Sequence, residues 1–181
     1  MNLDTKSKTY ANLLEAFSAE CSVRTKYNYF AALAKKEGLE QIAAIFQETA
    51  SNEKEHAEIW YKQLYGEETS ALEALKKAVS EEHSEWSDQY RRYEKEAKQE
   101  GYHEIAALFQ GVAEIERWHE QRFQALVENL SAQPQRVFSK ESEVVWICRN
   151  CGHISTGPEA PKQCEVCGHP QAYFELLAEN Y

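Results

Sequence analysis

Glu116-Arg117-Trp118-His119 repeats, 63 positions later, the pattern of Glu53-Lys54-Glu55-His56. When residues 35–64 are aligned with residues 98–127, eleven of thirty positions are identical and no gap is needed. Composition alone rarely gives such a match, so residues 1–130 are interpreted as a duplicated helix pair. The identical positions of the first copy are Lys35, Glu37, Gly38, Ile42, Ala43, Ala44, Phe46, Gln47, Ala50, Glu53 and His56.

Apolar residues recur with a helical period in four segments, which predict helices over about 5–36, 39–65, 70–100 and 102–130. Gly38 and Gly101 can end the first and third helices, because glycine adopts the left-handed cap without strain. The third helix starts at a capping box, residues 70–73. Helices of about 30 residues span roughly 45 Å. The sequence therefore predicts a long four-helix bundle, whose helix pairs pack within one chain or exchange between subunits.

The character of the sequence changes after residue 130. Residues 131–143 are polar, contain Pro134 and have no period, which indicates a linker. Residues 144–147 read Val-Val-Trp-Ile, a strand signal, and glycine and proline clusters follow. We therefore expect a helical domain at 1–130, a linker at 131–143 and a small β/loop domain at 144–181.

Composition and charge exclude several classes of partner. The chain of 181 residues has a net charge of −10, which argues against nucleic acid because a phosphate backbone attracts a basic surface. Its apolar runs are far shorter than the roughly 20 residues that a membrane span needs. The first residues lack the apolar segment of a secretory signal. We expect a cytoplasmic protein with neither a nucleic-acid nor a membrane partner.

Carboxylates lie on the inner face of every predicted helix, and histidines lie on the inner faces of the second and fourth. Residues three apart share a helix face, so Glu53 with His56 and Glu116 with His119 can each bind a common site. A single Glu-x-x-His arises easily by chance, but these two occupy equivalent repeat positions on stripes expected to be buried. Three further glutamates on inner faces are Glu20, Glu82 and Glu85.

Five uncompensated carboxylates in a core would be costly. Two divalent cations would compensate them, and oxygen ligands combined with imidazole suit iron or manganese. One glutamate from each of two helices, with Glu-x-x-His from the other two, is the ligand arrangement of ferritin-like di-iron proteins.

Two Cys-x-x-Cys pairs, Cys148/Cys151 and Cys164/Cys167, are separated by twelve residues. Such pairs form four-thiolate sites for iron or zinc, and the spacing does not distinguish the two metals. In a cytoplasmic chain this clustering favours a metal over disulfides. Cys21 stands alone and is interpreted as a packed thiol.

Together these motifs resemble those of the rubrerythrin family. The resemblance rests on Glu20, the two Glu-x-x-His motifs, Glu82-x-x-Glu85 and Tyr27 in the helical part. In the C-terminal part it rests on Trp146, the Cys-Gly pairs and residues 169–174. Glu165 departs from it, because the family usually has proline between the last two cysteines. The resemblance implies a mainly α fold: a ferritin-like four-helix bundle followed by a small rubredoxin-like β/loop metal domain.

The resemblance also implies residue roles. Glu53 and Glu116 would bridge two iron ions, and Glu20, Glu82 and His119 would be terminal ligands. Glu85 and His56 would compete for one iron according to its redox state. A third iron, for which zinc can substitute, would occupy the four cysteines. Tyr27 and Tyr90 would hydrogen-bond the ligand carboxylates or, equally, fill the core as aromatic residues.

The implied activity is that of a peroxidase, which reduces hydrogen peroxide to water. Electrons would come from an NAD(P)H-linked reductase or a rubredoxin, through the four-cysteine iron, in a head-to-tail homodimer. Three other readings stay open: a ferroxidase or iron-storage protein, a manganese catalase-like enzyme, and a non-enzymatic electron carrier.

Overall fold

The computed structural model describes residues 3–132 and 136–178, and the chain divides into two compact units, Met1–Glu68 and Thr69–Tyr181. The boundary falls between the two copies of the repeat. The first unit consists of α1 (Lys8–Lys36) and α2 (Glu40–Tyr65). The helices of the second unit are α3 (Ala71–Ser84), the π turn (Glu85–Gln89), α4 (Tyr90–Gln99) and α5 (His103–Ser131).

The helix ends follow the predicted signals. Ser70 caps α3 by accepting a hydrogen bond from the Glu73 amide at 3.2 Å. Gly38 and Gly101 have φ angles of 75° and 86°, in the left-handed region that glycine tolerates. Just after these glycines, the amides of residues 39 and 102 donate to the carbonyls of residues 34 and 97, at 2.9 and 2.8 Å. Both copies of the repeat therefore turn in the same way.

Helix packing within each unit buries mainly small residues. Helix α1 packs on α2, and α5 packs on α3, the π turn and α4. A pair of helices has a single helix–helix interface, so only the residues that face the other helix become buried. Ile42, Ile45 and Ile105, which periodicity places on inner faces, are 45–56% exposed. The buried helical residues are Ala31, Ala34, Ala43, Ala50, Ala57, Ala97 and Ala106.

The π turn interrupts the helix that the sequence predicts as continuous over residues 70–100. It coincides with a change in the repeat. Before the turn, α1 and α3 match at a spacing of 62, as in Leu13/Leu75 and Glu20/Glu82; after it, Tyr27 and Tyr90 match at 63. A π turn accommodates one extra residue in a helix. The second copy therefore carries a one-residue insertion, which the structure localises to Glu85–Gln89.

The C-terminal part is a three-stranded antiparallel sheet in the order β2-β1-β3. Its strands are β1 (Ser139–Cys148), β2 (Ile154–Glu159) and β3 (Phe174–Leu176), with a 3₁₀ turn at Gln171–Tyr173. The indole N–H of Trp146, a residue 1% exposed, donates to the Gly157 carbonyl at 3.0 Å. Trp146 and Phe174 form a small core with Ala160, Cys148 and Cys164.

Strand β1 begins five residues before the expected start at residue 144, and its pairing with β2 shifts register between Ser139 and Val144. Residues 133–135 of the predicted linker lie outside the described residues, so the proposed domain limits stay predictions. The predicted fold class is confirmed: the chain is mainly α-helical, with bundle helices followed by a small β/loop metal domain. No helix of residues 3–132 and 136–178 is long and apolar enough to cross a membrane.

Candidate metal centres

The first helical unit brings together Glu20 from α1 with Glu53 and His56 from α2. Each offers a ligand atom, and these atoms lie within 4.8 Å of one another. His56 Nδ1 is 2.8 Å from Glu53 Oε2 and 4.0 Å from Glu20 Oε2. The i, i+3 spacing places Glu53 and His56 on one face of α2, and the packing of α1 supplies the third group.

The second unit repeats this arrangement with Glu82 from α3 and Glu116 and His119 from α5, again within 4.8 Å. His119 Nδ1 is 2.7 Å from Glu116 Oε2 and 3.6 Å from Glu82 Oε2. We call these groups the first and second half-sites. The repeat in sequence is therefore also a repeat of ligand geometry, with two carboxylates and one imidazole in each unit.

Both half-sites are more open than their apolar stripes predict. The side chains of Glu53 and Glu116 are each 16% exposed, and that of His56 is 52% exposed. Each half-site lies on the face of a two-helix unit, which explains why its ligands keep access to solvent.

Glu85, the fifth predicted carboxylate ligand, is the first residue of the π turn. It lies outside the three-residue cluster, but burial, and then the charges of Glu116 and Glu81, raise the pKa of its carboxyl group. Burial, and then a hydrogen bond with Glu116, raise the pKa of Glu82. Carboxylates that resist ionisation beside one another are the groups that a divalent cation stabilises, so these residues fit a metal ion.

The two predicted tyrosines pack in equivalent aromatic groups. The Tyr27 ring lies 5.8 Å from Phe46, and the Tyr90 ring lies 6.1 Å from Phe109. Within the described chain neither hydroxyl makes a hydrogen bond to a ligand carboxylate. Burial, and then the charges of Glu85 and Glu116, raise the pKa of Tyr90, which places its phenol in the field of the second half-site.

The four cysteines form the third group. Cys148 Sγ is 3.7 Å from Cys167 Sγ, and Cys151 Sγ is 3.6 Å from Cys164 Sγ. Four sulfurs bound to one ion at about 2.3 Å in a tetrahedron lie roughly 3.8 Å apart, so these thiols fit a single metal ion.

The two cysteine pairs have matching backbones. The Cys148 amide donates to the His153 carbonyl at 2.9 Å, and the Cys164 amide to the His169 carbonyl at 2.8 Å. The glycine after each pair donates back to the first cysteine of that pair. The carboxylate of Glu165, the residue that departs from the family pattern, lies 3.1 Å from His153 Nε2 and so links the two cysteine pairs.

The thiols are electrostatically unequal. A hydrogen bond from the His169 amide lowers the pKa of Cys167 to about 6. At Cys151 the His153 amide also lowers the pKa, but hydrogen bonding to Cys167 and burial outweigh it and raise the pKa to about 12. A metal ion binds thiolates, so its uptake here must displace the proton of Cys151, which that thiol holds tightly.

Sequence reasoning missed one network beside the second half-site. The Trp86 indole N–H donates to Glu120 Oε2, and His83 Nδ1 lies 3.0 Å from Glu120 Oε1. The available signal was the i, i+3 pair of His83 and Trp86, displaced by one position from Glu82 and Glu85. Cys21, read as a packed thiol, is instead exposed.

Comparisons with known proteins assign both parts of the chain to one family. The family model for rubrerythrin matches residues 11–127, and the model for the rubrerythrin rubredoxin-like domain matches residues 146–175. The chain is 44% identical to a rubrerythrin from Porphyromonas gingivalis, covering 100% of this chain and 96% of that protein. It is 44% identical to a rubrerythrin from Clostridium perfringens and 39% identical to one from Nitratidesulfovibrio vulgaris, with 97% of both chains covered in each case. The chain therefore belongs to the rubrerythrin family.

Proposed function

We propose that the protein is a non-haem di-iron peroxidase, an oxidoreductase that reduces hydrogen peroxide to water and protects against oxidative stress. The observation that carries the proposal is the pairing, in one chain, of two equivalent Glu/His half-sites with a four-cysteine group. The half-sites offer hard oxygen and imidazole ligands, and the cysteines offer a closed set of soft ones. The two kinds of site suit substrate chemistry and electron transfer, respectively.

The proposed ligand roles follow the repeat. Glu53 and Glu116 would be shared between two iron ions, Glu20, Glu82 and His119 would each hold one ion, and Glu85 and His56 would compete for one of them. When bound, an iron pair supplies the two electrons that cleave the O–O bond, according to H₂O₂ + 2H⁺ + 2e⁻ → 2H₂O. The chain must supply or relay two protons. The Glu85 carboxyl group, whose pKa is raised, can hold one of them, with Tyr90 as a neighbouring phenol and Tyr27 as its counterpart in the first unit.

The four-cysteine group is the proposed electron inlet. Four thiolates leave an iron ion no free position for substrate, and the exposed Cys151 offers an edge for electron exchange. We propose that the donor is an NAD(P)H-linked reductase or a rubredoxin. We further propose that the protein works in the cytoplasm as a homodimer, which can exchange helix pairs between subunits.

A Cys148→Ser variant tests the electron inlet, with Cys21→Ser as the matched control. Cys148→Ser should retain bundle iron that peroxide oxidises, seen in the optical spectrum, but should lose turnover with a reductase. Cys21→Ser should keep both. Undiminished turnover in Cys148→Ser would contradict the proposal.

The alternatives predict other results in the same preparation. An iron-storage protein would retain far more than three iron ions per chain, which metal analysis counts. A manganese catalase-like enzyme would consume peroxide without a reductant. An electron carrier with a structural bundle would show no peroxide-dependent change in its half-sites.

A further inference from the structure

We infer that Trp86 is a positioning residue, which fixes the π turn to α5 and so sets where Glu85 lies. The inference deepens the proposed function, since it rests on Glu85 acting at the second half-site. Glu85 and Trp86 are the first two residues of the π turn. The position of the Trp86 ring therefore constrains the backbone that carries the Glu85 carboxylate.

Trp86 is held by directional contacts to α5. Its indole N–H donates to Glu120 Oε2, while the other oxygen of Glu120 lies 3.0 Å from His83 Nδ1. The His83 ring meets the Trp86 ring edge to face, with centroids 5.3 Å apart. A hydrogen bond to a charged acceptor is stronger than a neutral one, so this contact fixes the indole in one orientation.

Two guanidinium groups add to this contact. Arg91 Cζ and Arg117 Cζ lie 5.4 and 5.5 Å from the centroid of the Trp86 ring. Neither arginine makes an ion pair with the residues that the structure describes, so Trp86 is the partner that the structure gives them. Arg117 comes from α5, and its cation–π contact is therefore a second link between that helix and the π turn.

The π turn needs such support because its hydrogen-bond pattern differs from that of the flanking helices. Its closing bond runs from the Tyr90 amide to the Glu85 carbonyl, five residues apart. In the first copy the equivalent residues, at the spacing of 62, are Val23 and Arg24 in an uninterrupted α1. The insertion, the extra carboxylate and the tryptophan therefore occur together in one copy.

Amide hydrogen exchange at Tyr90 tests the inference in the metal-free full chain, followed residue by residue by NMR. Trp86→Phe keeps an aromatic ring but removes the N–H donor, and Glu120→Ala removes the acceptor. Each should speed exchange at Tyr90 about tenfold, the scale of one hydrogen bond to a charged group. Their combination should add little, because both remove the same contact.

The matched control is Trp118→Phe. Arg122 Cζ lies 4.4 Å from the centroid of the Trp118 ring, but the indole N–H of Trp118 has no acceptor in the described chain. This variant should leave exchange at Tyr90 unchanged. Exchange within twofold of the wild type in both Trp86→Phe and Glu120→Ala would overturn the inference.

Peroxide turnover supplies the second readout. Trp86→Phe should slow turnover in the wild-type background but not in a Glu85→Ala background, because a positioning residue acts through the group it positions. An equal loss in both backgrounds would show that Trp86 does not act through Glu85. If the wild type has no peroxide turnover, the proposed function fails, while amide exchange at Tyr90 still decides whether Trp86 holds the π turn.

Discussion

The two helix pairs carry nearly the same half-site on helices that differ by one residue. Their Glu–His contacts are 2.8 and 2.7 Å, and each pair also packs three aromatic rings at equivalent positions. Helix α1 runs unbroken past Glu20, whereas the helix after Glu82 contains the π turn. A single inserted residue therefore altered one half-site and left the rest of the repeat in place.

The difference is confined to a few side chains. At the spacing of 62, Val23 is the counterpart of Glu85 and Arg24 that of Trp86. From Tyr27 and Tyr90 onward the repeat spacing is 63, and equivalent positions again carry matching residues. Asymmetry of the proposed di-iron centre therefore originates in one turn, and variants at matched positions can test it.

The largest expected effect concerns the glutamate of the Glu-x-x-His motif, which both copies share. Glu53→Gln and Glu116→Gln each remove a proposed bridging carboxylate, so each should weaken binding of the metal pair by at least about 100-fold, more than loss of an outer-shell partner costs. Anaerobic titration with ferrous iron, followed by calorimetry, measures this. If one variant keeps wild-type affinity while the other loses it, the half-sites are not equivalent.

The second-largest effect concerns Glu85, which has no carboxylate counterpart in the first copy. Glu85→Ala should slow peroxide turnover about tenfold, or ~1.4 kcal/mol of barrier, while both bundle irons stay bound. Val23→Ala, at the matched position of α1, should leave turnover near the wild-type value. Steady-state kinetics with metal analysis gives both numbers. Loss of both irons from Glu85→Ala, with the fold intact, would make Glu85 a structural ligand.

The sequence predicted much of this arrangement because its signals are local. Glycine at residues 38 and 101 fixes the turns, and the i, i+3 spacing fixes each Glu-x-x-His pair on one face. The cysteine spacing likewise identified the third group. All of these features are set within a few residues, so periodicity and spacing describe them well.

What the sequence missed depends on contacts between elements. In the sequence the π turn shows only as a change of repeat spacing, from 62 before the turn to 63 after it. The Trp86–Glu120 contact joins residues 34 positions apart, and no periodicity indicates which residue of a neighbouring helix a side chain meets. The exposure of Ile42 and Ile45 was missed because periodicity names an apolar face without stating how many helices cover it.

Deletion of Asp88 should make the helix of the second copy resemble α1 of the first copy more closely. It restores the spacing of α1, so the helix can close with regular α hydrogen bonds while Glu82 and Tyr90 keep the facing positions of Glu20 and Tyr27. The fold should persist, and peroxide turnover should fall roughly threefold, ~0.7 kcal/mol, as Glu85 moves. Deletion of the equivalent Lys26 in α1, which has no extra residue to lose, should instead destabilise the chain. Equal thermal stability of the two deletion variants would contradict the insertion.

The smallest expected effect is a pH dependence in the metal-free protein. The pKa values of Glu82 and Glu85 are raised in the folded chain, by burial first and then by the neighbouring carboxylates. A carboxyl group with a raised folded pKa binds its proton more tightly when folded. Its stabilising contribution is therefore complete below the unfolded pKa, about 4.3, and is lost as pH rises through the folded pKa.

Metal-free wild type should accordingly lose more thermal stability between about pH 4.5 and pH 7 than the double variant Glu82→Gln/Glu85→Gln, by on the order of 2 °C in Tm. Glu114→Gln, which removes an exposed charge elsewhere on α5, should track the wild type. Calorimetric melting across this range measures all three proteins. Parallel curves for wild type and double variant would show that the carboxylates of the second half-site ionise without cost, and the electrostatic reason for a cation there would disappear.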